Sequence, residues 1–424
     1  MLMRIIPRRI EVKKIEKALP WVLIYGRRKT GKSFLVENFL KFDKYFFVNR
    51  DGTLLDKETN EIYTYEEFLK ILKEILGVKT VVIDEFHRLP ENFLDYLHAT
   101  GIKGKLILIT STLWLTERKL KRGEPLLGLV RPVKIGLIDE REIIDALSKE
   151  FEGKELIENC VYLREPFLIP SFKGNIRDFL PEFLENGKII IKETIGEIFK
   201  EEERELTNIY EGIMKAVACR KNISTEISTY LFSRKIIPKD NPGLIQKYLD
   251  ILTKIGILEK VEVFGKKRFR YFHSSPLLDL HYYLEEKYSY TETNIPSELI
   301  RKVLEEKLPK HVEQFVRNLF VKIFGVAHKI IEEKDLEVDV ALFEFKKPKI
   351  VAEVKWVKKL TGDEVESIEE NLNSFKECRK ILVVPDKNIL KVFPKNIEVF
   401  DVKDIVNLSK ESLKNQRTNL ESFS

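Results

Sequence analysis

A glycine-rich loop near the N-terminus has the residue types and spacing of a phosphate-binding site. The loop reads Gly26-Arg27-Arg28-Lys29-Thr30-Gly31-Lys32-Ser33, which fits the pattern G-x-x-x-x-G-K-[ST]. In such a loop, backbone N–H groups and the N-terminus of the following helix surround phosphate oxygens. We expect Lys32 to reach the β- and γ-phosphates and the Ser33 hydroxyl to coordinate Mg²⁺. The loop therefore predicts a nucleotide site.

Two carboxylates follow a predicted buried strand further along the chain. The strand reads Thr80-Val81-Val82-Ile83 and is followed by Asp84 and Glu85. Asp84 is predicted to hold Mg²⁺ through water, and Glu85 is predicted to polarise the attacking water as a general base. A buried strand capped by surface acids is the alternative interpretation.

A third strand, over residues 105–109, ends in the hydroxyl residues Thr110, Ser111 and Thr112. Either Ser111 or Thr112 is predicted to sense the γ-phosphate, if this strand lies between the other two. Hydroxyl residues at the end of a strand are also ordinary turn chemistry, so both interpretations stay open.

An alternating pattern near the C-terminus predicts a hairpin. Residues 335–345 and 350–356 both alternate apolar and polar side chains, and residues two apart in a strand share a face. Reflection about a turn near Lys347 places Asp339 opposite Lys355.

Glu353 shares the face of Lys355, so two carboxylates and a lysine are predicted to converge. Carboxylates that hold one or two Mg²⁺, with a lysine that orients or activates water, are the groups of metal-dependent phosphodiester hydrolysis. Glu313, on a predicted preceding helix, would join Asp339 and Glu353 as a metal ligand. The alternative is an acidic and basic face on a solvated sheet.

Composition sets broad limits on the class of protein. The chain has 424 residues, of which 43% are hydrophobic and 33% charged, so we expect a soluble protein of two or three domains. It shows neither an apolar run of about 18–20 residues nor a signal peptide's pattern, so no membrane partner and a cytoplasmic location are expected. The three cysteines form no C-x-x-C pair, which suggests neither a disulfide framework nor a zinc site. A net charge of +6 permits nucleic-acid binding without requiring it.

The first region, residues 1–200, predicts an α/β domain with a parallel sheet and a helical lid. The lid is predicted over residues 139–199. Arg131, between the lid and the last strand, is interpreted either as an arginine finger or as an exposed ion-pair arginine. The predicted strands are residues 21–25, 45–48, 81–83, 106–109 and 133–135.

A charge run at residues 200–205 predicts a boundary, and residues 201–290 predict a winged helix-turn-helix. Three helices precede two strands joined by a glycine turn. Asn241 is the predicted N-cap of the third helix, and Gly256 is predicted to end it.

The wing, residues 264–271 of this hairpin, mixes four cations with aromatic residues. Cations suit the phosphates of DNA, whereas a solvated hairpin used for protein contacts or as a spacer is the alternative. The four cations are Lys266, Lys267, Arg268 and Arg270.

The third region, residues 296–405, has a predicted α-β-β-β-α-β order, and residues 406–424 are predicted as a tail. This order, with the acids above, predicts an α/β domain of the restriction-endonuclease type.

The chain resembles the archaeal ATPase family, in which a AAA+-like P-loop domain of the STAND group is joined to a winged helix and, in one branch, to a PD-(D/E)xK nuclease-like domain. The resemblance implies ATP as the nucleotide, with Mg²⁺. It also favours Ser111 as the sensor, because Thr110-Ser111 stands where the family has Gly-Ser. The residues that carry the resemblance are the loop 26–33, Val82-Ile83-Asp84-Glu85-Phe86, Gly256-Ile257-Leu258-Glu259, Tyr271-Phe272-His273-Ser274-Ser275-Pro276-Leu277-Leu278, and Asp339 with Ala352-Glu353-Val354-Lys355-Trp356.

The sequence thus predicts a Mg²⁺-dependent ATP-binding and ATP-hydrolysing switch coupled to a nuclease-like domain that processes nucleic acid. The alternative is an ATP-controlled regulatory or scaffold protein whose nuclease-like domain is inactive. DNA is the predicted partner, through the winged helix and the C-terminal domain, and an oligomer is left open.

Overall fold

The computed structural model describes residues 5–112, 128–201, 206–332 and 338–421. Three regions follow one another: a seven-stranded sheet with helices, a helical module with a two-stranded hairpin, and a five-stranded sheet with helices. Parts of the predicted charge-run boundary (202–205) and of the predicted C-terminal hairpin (335–337) lie outside the described residues.

The N-terminal sheet is mainly parallel and buried. Its strands are β1 (Trp21–Tyr25), β2 (Lys44–Val48), β3 (Leu54–Asp56), β4 (Ile62–Tyr63), β5 (Thr80–Asp84), β6 (Lys105–Thr110) and β7 (Arg131–Lys134). They lie in the order β4-β3-β2-β5-β6-β1-β7, and only the β2-β3 and β3-β4 pairs are antiparallel. Continuous apolar runs such as Val22-Leu23-Ile24 are fully buried, as expected of parallel strands covered on both faces. The predicted parallel α/β sheet is confirmed, with β6 between β1 and β5, while the short β3–β4 pair was not predicted.

Helices cover this sheet, and a helical lid follows it. The helix α3 begins at a capping box, in which Thr64 and Glu67 exchange side-chain-to-backbone hydrogen bonds. The helix α5 begins at Asp139, whose carboxylate accepts the Arg141 N–H at 2.9 Å. The helices are α1 (Arg9–Ala18), α2 (Lys32–Phe39), α3 (Tyr65–Ile75) and α4 (Asn92–Thr100), then in the lid α5 (Glu140–Leu147), α6 (Gly153–Leu163) and α7 (Ile176–Glu201).

The central module has the predicted three helices and hairpin. The Asn241 side chain accepts the Gly243 N–H at 2.9 Å, and Gly256 has a φ of +76°, so both predicted helix ends are observed. The two strands pair antiparallel. The elements are α8 (Asn208–Ala218), α9 (Ser224–Ser233), α10 (Pro242–Lys254), β8 (Leu258–Glu262), β9 (Phe269–His273) and α11 (Pro276–Tyr288).

The C-terminal region shows the predicted α-β-β-β-α-β order, followed by one more strand and helix. The predicted boundary between residues 405 and 406 falls inside that last helix. The elements are α12 (Ser297–Phe324), β10 (Ala327–His328), β11 (Val340–Glu344), β12 (Lys347–Val354), α13 (Gly362–Asn373), β13 (Arg379–Val383), β14 (Glu398–Phe400) and α14 (Val402–Glu421), with the strands in the order β10-β11-β12-β13-β14.

The register of the β11–β12 hairpin differs from the predicted one. Val340 pairs with Ala352, so Asp339 lies level with Glu353 and not with Lys355. The predicted register was wrong because the turn lies nearer the N-terminus than expected. A bulge within the hairpin then returns the pairing by one residue towards the predicted register.

One hydrophobic core joins the three regions. It includes Leu163 of the lid, Leu280 of the central module, and Val316 and Val354 of the C-terminal region. Within the described residues, no helix is long and apolar enough to cross a membrane.

Candidate functional site

The glycine loop leaves β1 beside β7 and leads into α2. A Cβ at Gly26 would come within 2.0 Å of the Ile135 carbonyl oxygen, so only glycine fits this approach. Gly31, immediately before α2, has a φ of +83°, a left-handed conformation that glycine adopts without strain. The strand, loop and helix therefore stand in the order that a phosphate loop requires.

Lys32 lies folded over the loop. Its ammonium group donates to the carbonyl oxygens of Gly26 and Arg27 at 2.8 and 3.0 Å, and the side chain is buried. The charge of Lys32 is thus held over the space that the loop encloses. A phosphate bound there would contact this charge with little further loss of side-chain entropy.

Ser33 and Asp84 meet at the ends of neighbouring elements. The Ser33 hydroxyl donates to Asp84 Oδ2 at 2.6 Å, and the Tyr45 hydroxyl donates to the same oxygen at 2.7 Å. Burial and the Asp84 charge raise the pKa of Tyr45 well above its usual range, so the phenol stays protonated and donates. A hydroxyl and a carboxylate side by side are donors that suit Mg²⁺. Sequence reasoning missed Tyr45, which only strand pairing brings next to β5.

Glu85 is held by hydroxyl and imidazole groups. The Ser111 hydroxyl donates to Glu85 Oε2 at 2.9 Å, and His87 Nδ1 lies 3.3 Å from the same oxygen. Thr110 Oγ1 lies 2.9 Å from both His87 Nδ1 and Thr112 Oγ1. Of the two predicted sensor candidates, Ser111 therefore touches the predicted base, whereas Thr112 is linked to it through Thr110 and His87. His87 was not predicted.

The two arginines of the loop reach the lid. Arg27 Nη2 lies 2.7 Å from both carboxylate oxygens of Glu165, in a pair that is almost fully buried. Arg28 Nε lies 2.8 Å from Glu197 Oε2. Lid and loop are therefore linked by charge, and an anion bound in the loop would compete with the lid for these arginines.

The rest of the loop is held by hydrogen bonds from outside and within it. Arg8 Nη1 donates to the Thr30 carbonyl oxygen at 2.6 Å, and the Thr30 hydroxyl donates to the Arg27 carbonyl oxygen at 2.8 Å. Lys29 is exposed. A cavity of about 570 Å³ opens beside Arg27 and Thr30, with Arg164 of the lid and Lys260 of the central module on its other walls.

Arg131 lies at the wrong end of the sheet for an arginine finger within this chain. It pairs with Val22 at the start of β1, whereas the loop follows Tyr25 at the other end. Its guanidinium donates to the Lys17 carbonyl oxygen at 3.0 Å. The exposed-arginine interpretation is the one that the structure supports.

The predicted acids of the C-terminal region do come together. Lys355 Nζ lies 2.8 Å from Glu353 Oε2, and Asp339 Oδ2 accepts the Val354 N–H at 2.9 Å. From α12, Glu313 reaches the same place and interacts directly with Asp339. We call Glu313, Asp339, Glu353 and Lys355 the carboxylate cluster.

A second lysine, which sequence reasoning missed, belongs to this neighbourhood. Lys310 Nζ lies 2.5 Å from Glu313 Oε2 and 3.9 Å from Asp339 Oδ1. Its position one turn before Glu313 on α12 was the available signal. Within the described residues, no three His, Cys, Asp or Glu side chains converge as metal ligands would. In the described conformation, lysines pair with the acids.

The protonation of the cluster reflects crowded negative charge. Burial, and then repulsion from Asp339, raise the pKa of Glu313 to about 8. Burial and Asp339 likewise raise the pKa of Glu353 to about 7. A hard divalent cation would offset the repulsion between these acids, although within the described residues they do not converge as its ligands would.

The cluster predicts a pH-dependent stability. Because the pKa of Glu313 is raised from 4.5 to about 8, the folded chain binds more protons than the unfolded chain between these two pH values. The free energy of unfolding should therefore fall as the pH rises through this range. In EDTA, we expect the Tm to fall between pH 5 and pH 8, and Glu313→Gln to reduce this fall by about 2 °C or more.

Differential scanning calorimetry of both proteins measures this difference. Glu305→Gln, an exposed acid on the same helix, is the control and should keep the wild-type pH profile. Mg²⁺ added at pH 8 should raise the wild-type Tm more than that of Glu313→Gln. Equal pH profiles in wild type and Glu313→Gln would contradict the prediction.

The wing cations are engaged within the chain. Lys266 Nζ donates to the Glu332 carbonyl oxygen at 2.7 Å, Arg270 Nε lies 2.6 Å from Glu332 Oε1, and Arg268 pairs with the same carboxylate. Val263 bridges Ile330 in the adjoining strand segment. The predicted face for DNA phosphates is thus partly covered by the C-terminal region.

Comparison with known proteins bears on the N-terminal region. Residues 19–144 match the family model described as an AAA domain, which spans the glycine loop, both strand-end acids and Ser111. The N-terminal region is thus similar to AAA-type P-loop domains in its loop sequence and its mainly parallel sheet. No curated protein matches the chain in sequence.

Solved structures with a related arrangement include two archaeal proteins. A Walker-type ATPase of Pyrococcus abyssi is 17% identical and aligns over 66% of this chain and 96% of its own, with a TM-score of 0.46. The Aeropyrum pernix ORC1 protein, solved in complex with DNA, is 14% identical and aligns over 68% of this chain and 95% of its own, with a TM-score of 0.31.

Proposed function

We propose that the N-terminal domain binds ATP with Mg²⁺ and hydrolyses it as a switch. The observation that carries the proposal is that four groups lie at the carboxyl end of the parallel strands: the Lys32 ammonium, the Ser33 hydroxyl, and the Asp84 and Glu85 carboxylates. ATP is favoured because the AAA-domain match covers these residues. The cavity beside the loop, of about 570 Å³, has the size of a small-molecule pocket and suits the base and ribose.

Each group has a distinct role in this proposal. The loop N–H groups and Lys32 hold the phosphates, and Ser33 and Asp84 hold the metal ion, which supplies charge to the phosphate oxygens. Glu85 takes a proton from water aligned with the γ-phosphate, and Ser111 keeps the Glu85 carboxylate in place. Arg27 and Arg28 leave the lid glutamates for phosphate oxygens, and this exchange moves the lid.

Glu85→Gln tests this assignment. The amide keeps the hydrogen bond from Ser111 but cannot take a proton, so we expect ATP affinity to stay within about threefold and turnover to fall about 100-fold. Fluorescent-nucleotide binding and phosphate release measure the two quantities. Glu74→Gln, an exposed acid on α3, should behave as wild type. Unchanged turnover in Glu85→Gln would remove Glu85 from catalysis.

A second activity is supported by the carboxylate cluster. We infer that residues 296–405 form a PD-(D/E)xK nuclease-like domain that hydrolyses phosphodiester bonds with Mg²⁺. Asp339, Glu353 and Glu313 would hold the metal ion, and Lys355 would orient the attacking water. The alternative is a regulatory or scaffold protein whose cluster is inactive, and the pairing of both lysines with the acids is the observation that favours it.

The central module, residues 201–290, is proposed to be a winged helix that contacts DNA. Its helices and hairpin support this, and Lys267 extends the row of wing cations. DNA phosphates would have to displace Glu332 from Lys266, Arg268 and Arg270.

Glu332→Gln tests the wing. Because the amide holds three cations less tightly, we expect duplex DNA binding with a steeper salt dependence. The slope of log K against log [salt] should become more negative by about 0.9 for each cation freed. Fluorescence anisotropy across a NaCl series measures it. Glu262→Gln, an exposed acid on β8, is the control. An unchanged slope would assign the wing to contacts within the chain.

Contacts between the lid and the C-terminal region support coupling of the two activities. Trp356 Nε1 donates to Glu158 Oε1 on α6 at 3.0 Å, one residue after Lys355 of the cluster. Lys322 of α12 pairs with Glu140 of α5. Lid movement during ATP turnover would therefore act on elements that carry the cluster.

A further inference from the structure

Two loops at the carboxyl ends of β12 and β13 expose apolar side chains close together. Residues 355–361 follow β12, and residues 384–397 follow β13. Val357, Val392 and Phe393 in these loops are 42%, 56% and 57% exposed. Single exposed apolar residues need no explanation, but a group of them marks an interaction surface.

The two loops lie side by side and form one surface. The Leu360 N–H donates to the Ile389 carbonyl oxygen at 3.0 Å, and Leu360 also bridges Leu390. A Cβ at Gly362 would lie 3.5 Å from Val392 Cγ2. We call residues 355–361 and 384–397 together the loop surface.

The loop surface adjoins the carboxylate cluster. Lys355 ends the cluster and begins the first loop, one residue before Trp356. Hydrogen bonds from Thr361, and then the charge of Lys355, lower the pKa of Glu364 in the first turn of α13. Val392 lies beside the start of α13, the helix that follows the first loop.

The cations of the loop surface define the chemistry of its partner. Lys358, Lys359, Lys391 and Lys395 are all exposed. A cavity of about 500 Å³ between the loops and the lid is lined by Trp356 and Val357 and by charged side chains of both signs, namely Lys154, Arg177, Lys358, Glu158, Glu305 and Asp386. Cations interleaved with exposed aromatic and aliphatic groups suit a partner that offers phosphates and apolar ring faces together.

We propose that the loop surface holds an unpaired nucleic-acid strand as it enters the carboxylate cluster. Phe393 stacks on a base, and Lys391 and Lys395 contact phosphates. An unpaired strand is required because the base faces of a duplex are already stacked on their neighbours. This inference rests on the hydrolytic function proposed for the cluster.

Binding in EDTA separates strand recognition from cleavage. With a labelled thymidine strand of about 20 nucleotides, we expect Phe393→Ala to weaken binding about fivefold or more. We expect Phe393→Trp to keep the wild-type affinity. Phe345→Ala is the matched control, because Phe345 is 92% exposed at the far end of the β11–β12 hairpin. The affinity of Phe345→Ala for the strand should stay within about twofold of wild type. The same holds for the affinity of both alanine variants for a duplex.

A salt series tests the lysines. Neutralising Lys391 and Lys395 together as Lys→Gln should make the slope of log K against log [salt] less negative by about 1.4. The same change at Lys346 and Lys347, near the control phenylalanine, should leave the slope unchanged. Circular dichroism and Tm should match wild type in every variant, because all the substituted side chains are exposed.

The outcomes separate this inference from the proposed hydrolysis. Cleavage that depends on Glu353 but not on Phe393, with strand binding unchanged in Phe393→Ala, overturns the inference and leaves the proposed function standing. Strand binding that depends on Phe393, without cleavage of any substrate, supports the loop surface and refutes the hydrolysis. Binding to phosphatidylserine vesicles that Phe393→Ala abolishes, with strand binding intact, would assign the surface to membranes and overturn the inference.

Discussion

Lys32→Ala is expected to reduce ATP turnover about 1,000-fold or more. The lysine ammonium is the charge that the loop already holds in place through the Gly26 and Arg27 carbonyl oxygens. Its preorganised contact with the γ-phosphate strengthens as negative charge shifts during phosphoryl transfer, so its loss falls mainly on the transition state. Phosphate release at saturating ATP and Mg²⁺ measures the effect.

Lys29→Ala is the matched control for this experiment. Lys29 lies in the same loop but is exposed, so its removal should change turnover by no more than about threefold. Because Lys32 is buried, the Tm of both variants must be recorded, and nucleotide binding should be measured below it. Turnover above about a tenth of the wild-type rate in a folded Lys32→Ala protein would refute a P-loop mechanism.

Glu353→Ala is expected to abolish Mg²⁺-dependent cleavage of nucleic acid while ATP turnover continues. Glu353 lies at the centre of the carboxylate cluster, level with Asp339 and paired with Lys355. Removing a ligand of the catalytic metal takes away several kcal/mol of transition-state stabilisation, which is about 1,000-fold or more in rate. Gel assays on single-stranded, duplex and branched DNA, with and without ATP, measure it.

Glu344→Ala is the control for the hairpin itself. Glu344 is an exposed acid on β11, far from the cluster, and pairs with Lys349. The Glu344→Ala variant should cleave these DNA substrates at the wild-type rate. If Glu353→Ala cleaves within about tenfold of wild type, the cluster is not the catalytic centre. If wild type cleaves none of these substrates while ATP turnover depends on Lys32, the scaffold alternative is favoured.

Local patterns were sufficient to predict the N-terminal domain. Gly26 and Gly31 stand where the chain needs close backbone approach or a left-handed φ, and the apolar run before them forms the predicted strand. Gly26 faces Ile135, more than 100 residues along the chain, and was predicted because it belongs to the loop motif. The left-handed φ of Gly31 involves only neighbouring residues, as do the roles of Asn241 and Gly256 at the ends of α10, so these are visible in the sequence.

Register was harder to predict than strand position. The alternating pattern indicated both strands of the hairpin, but an earlier turn, only partly offset by a bulge, moved Asp339 from Lys355 to Glu353. The acids still meet, because strand residues two apart share a face and the shift of pairing is two residues. Tyr45 was missed because it approaches Asp84 from a separate strand, and Lys310 was missed although it lies on the same helix as Glu313.

The wing shows a different limit. Its cations were located on the hairpin, and they suggested an open face for phosphates. In the structure Glu332 takes up three of them, and this partner lies more than 60 residues along the chain from the wing. A surface charge has no local requirement for one partner, so its pairing depends on how the regions pack.

The sequence by itself determined the phosphate loop, the strand-end acids, and the order of helices and strands, because glycine conformation, apolar periodicity and helix capping act over a few residues. Only the tertiary structure decided that the loop arginines hold the lid, that Glu332 covers the wing, and that Lys310 approaches Asp339. These contacts join residues far apart in sequence, and their energies depend on burial and distance, which arise only when the three regions share one core.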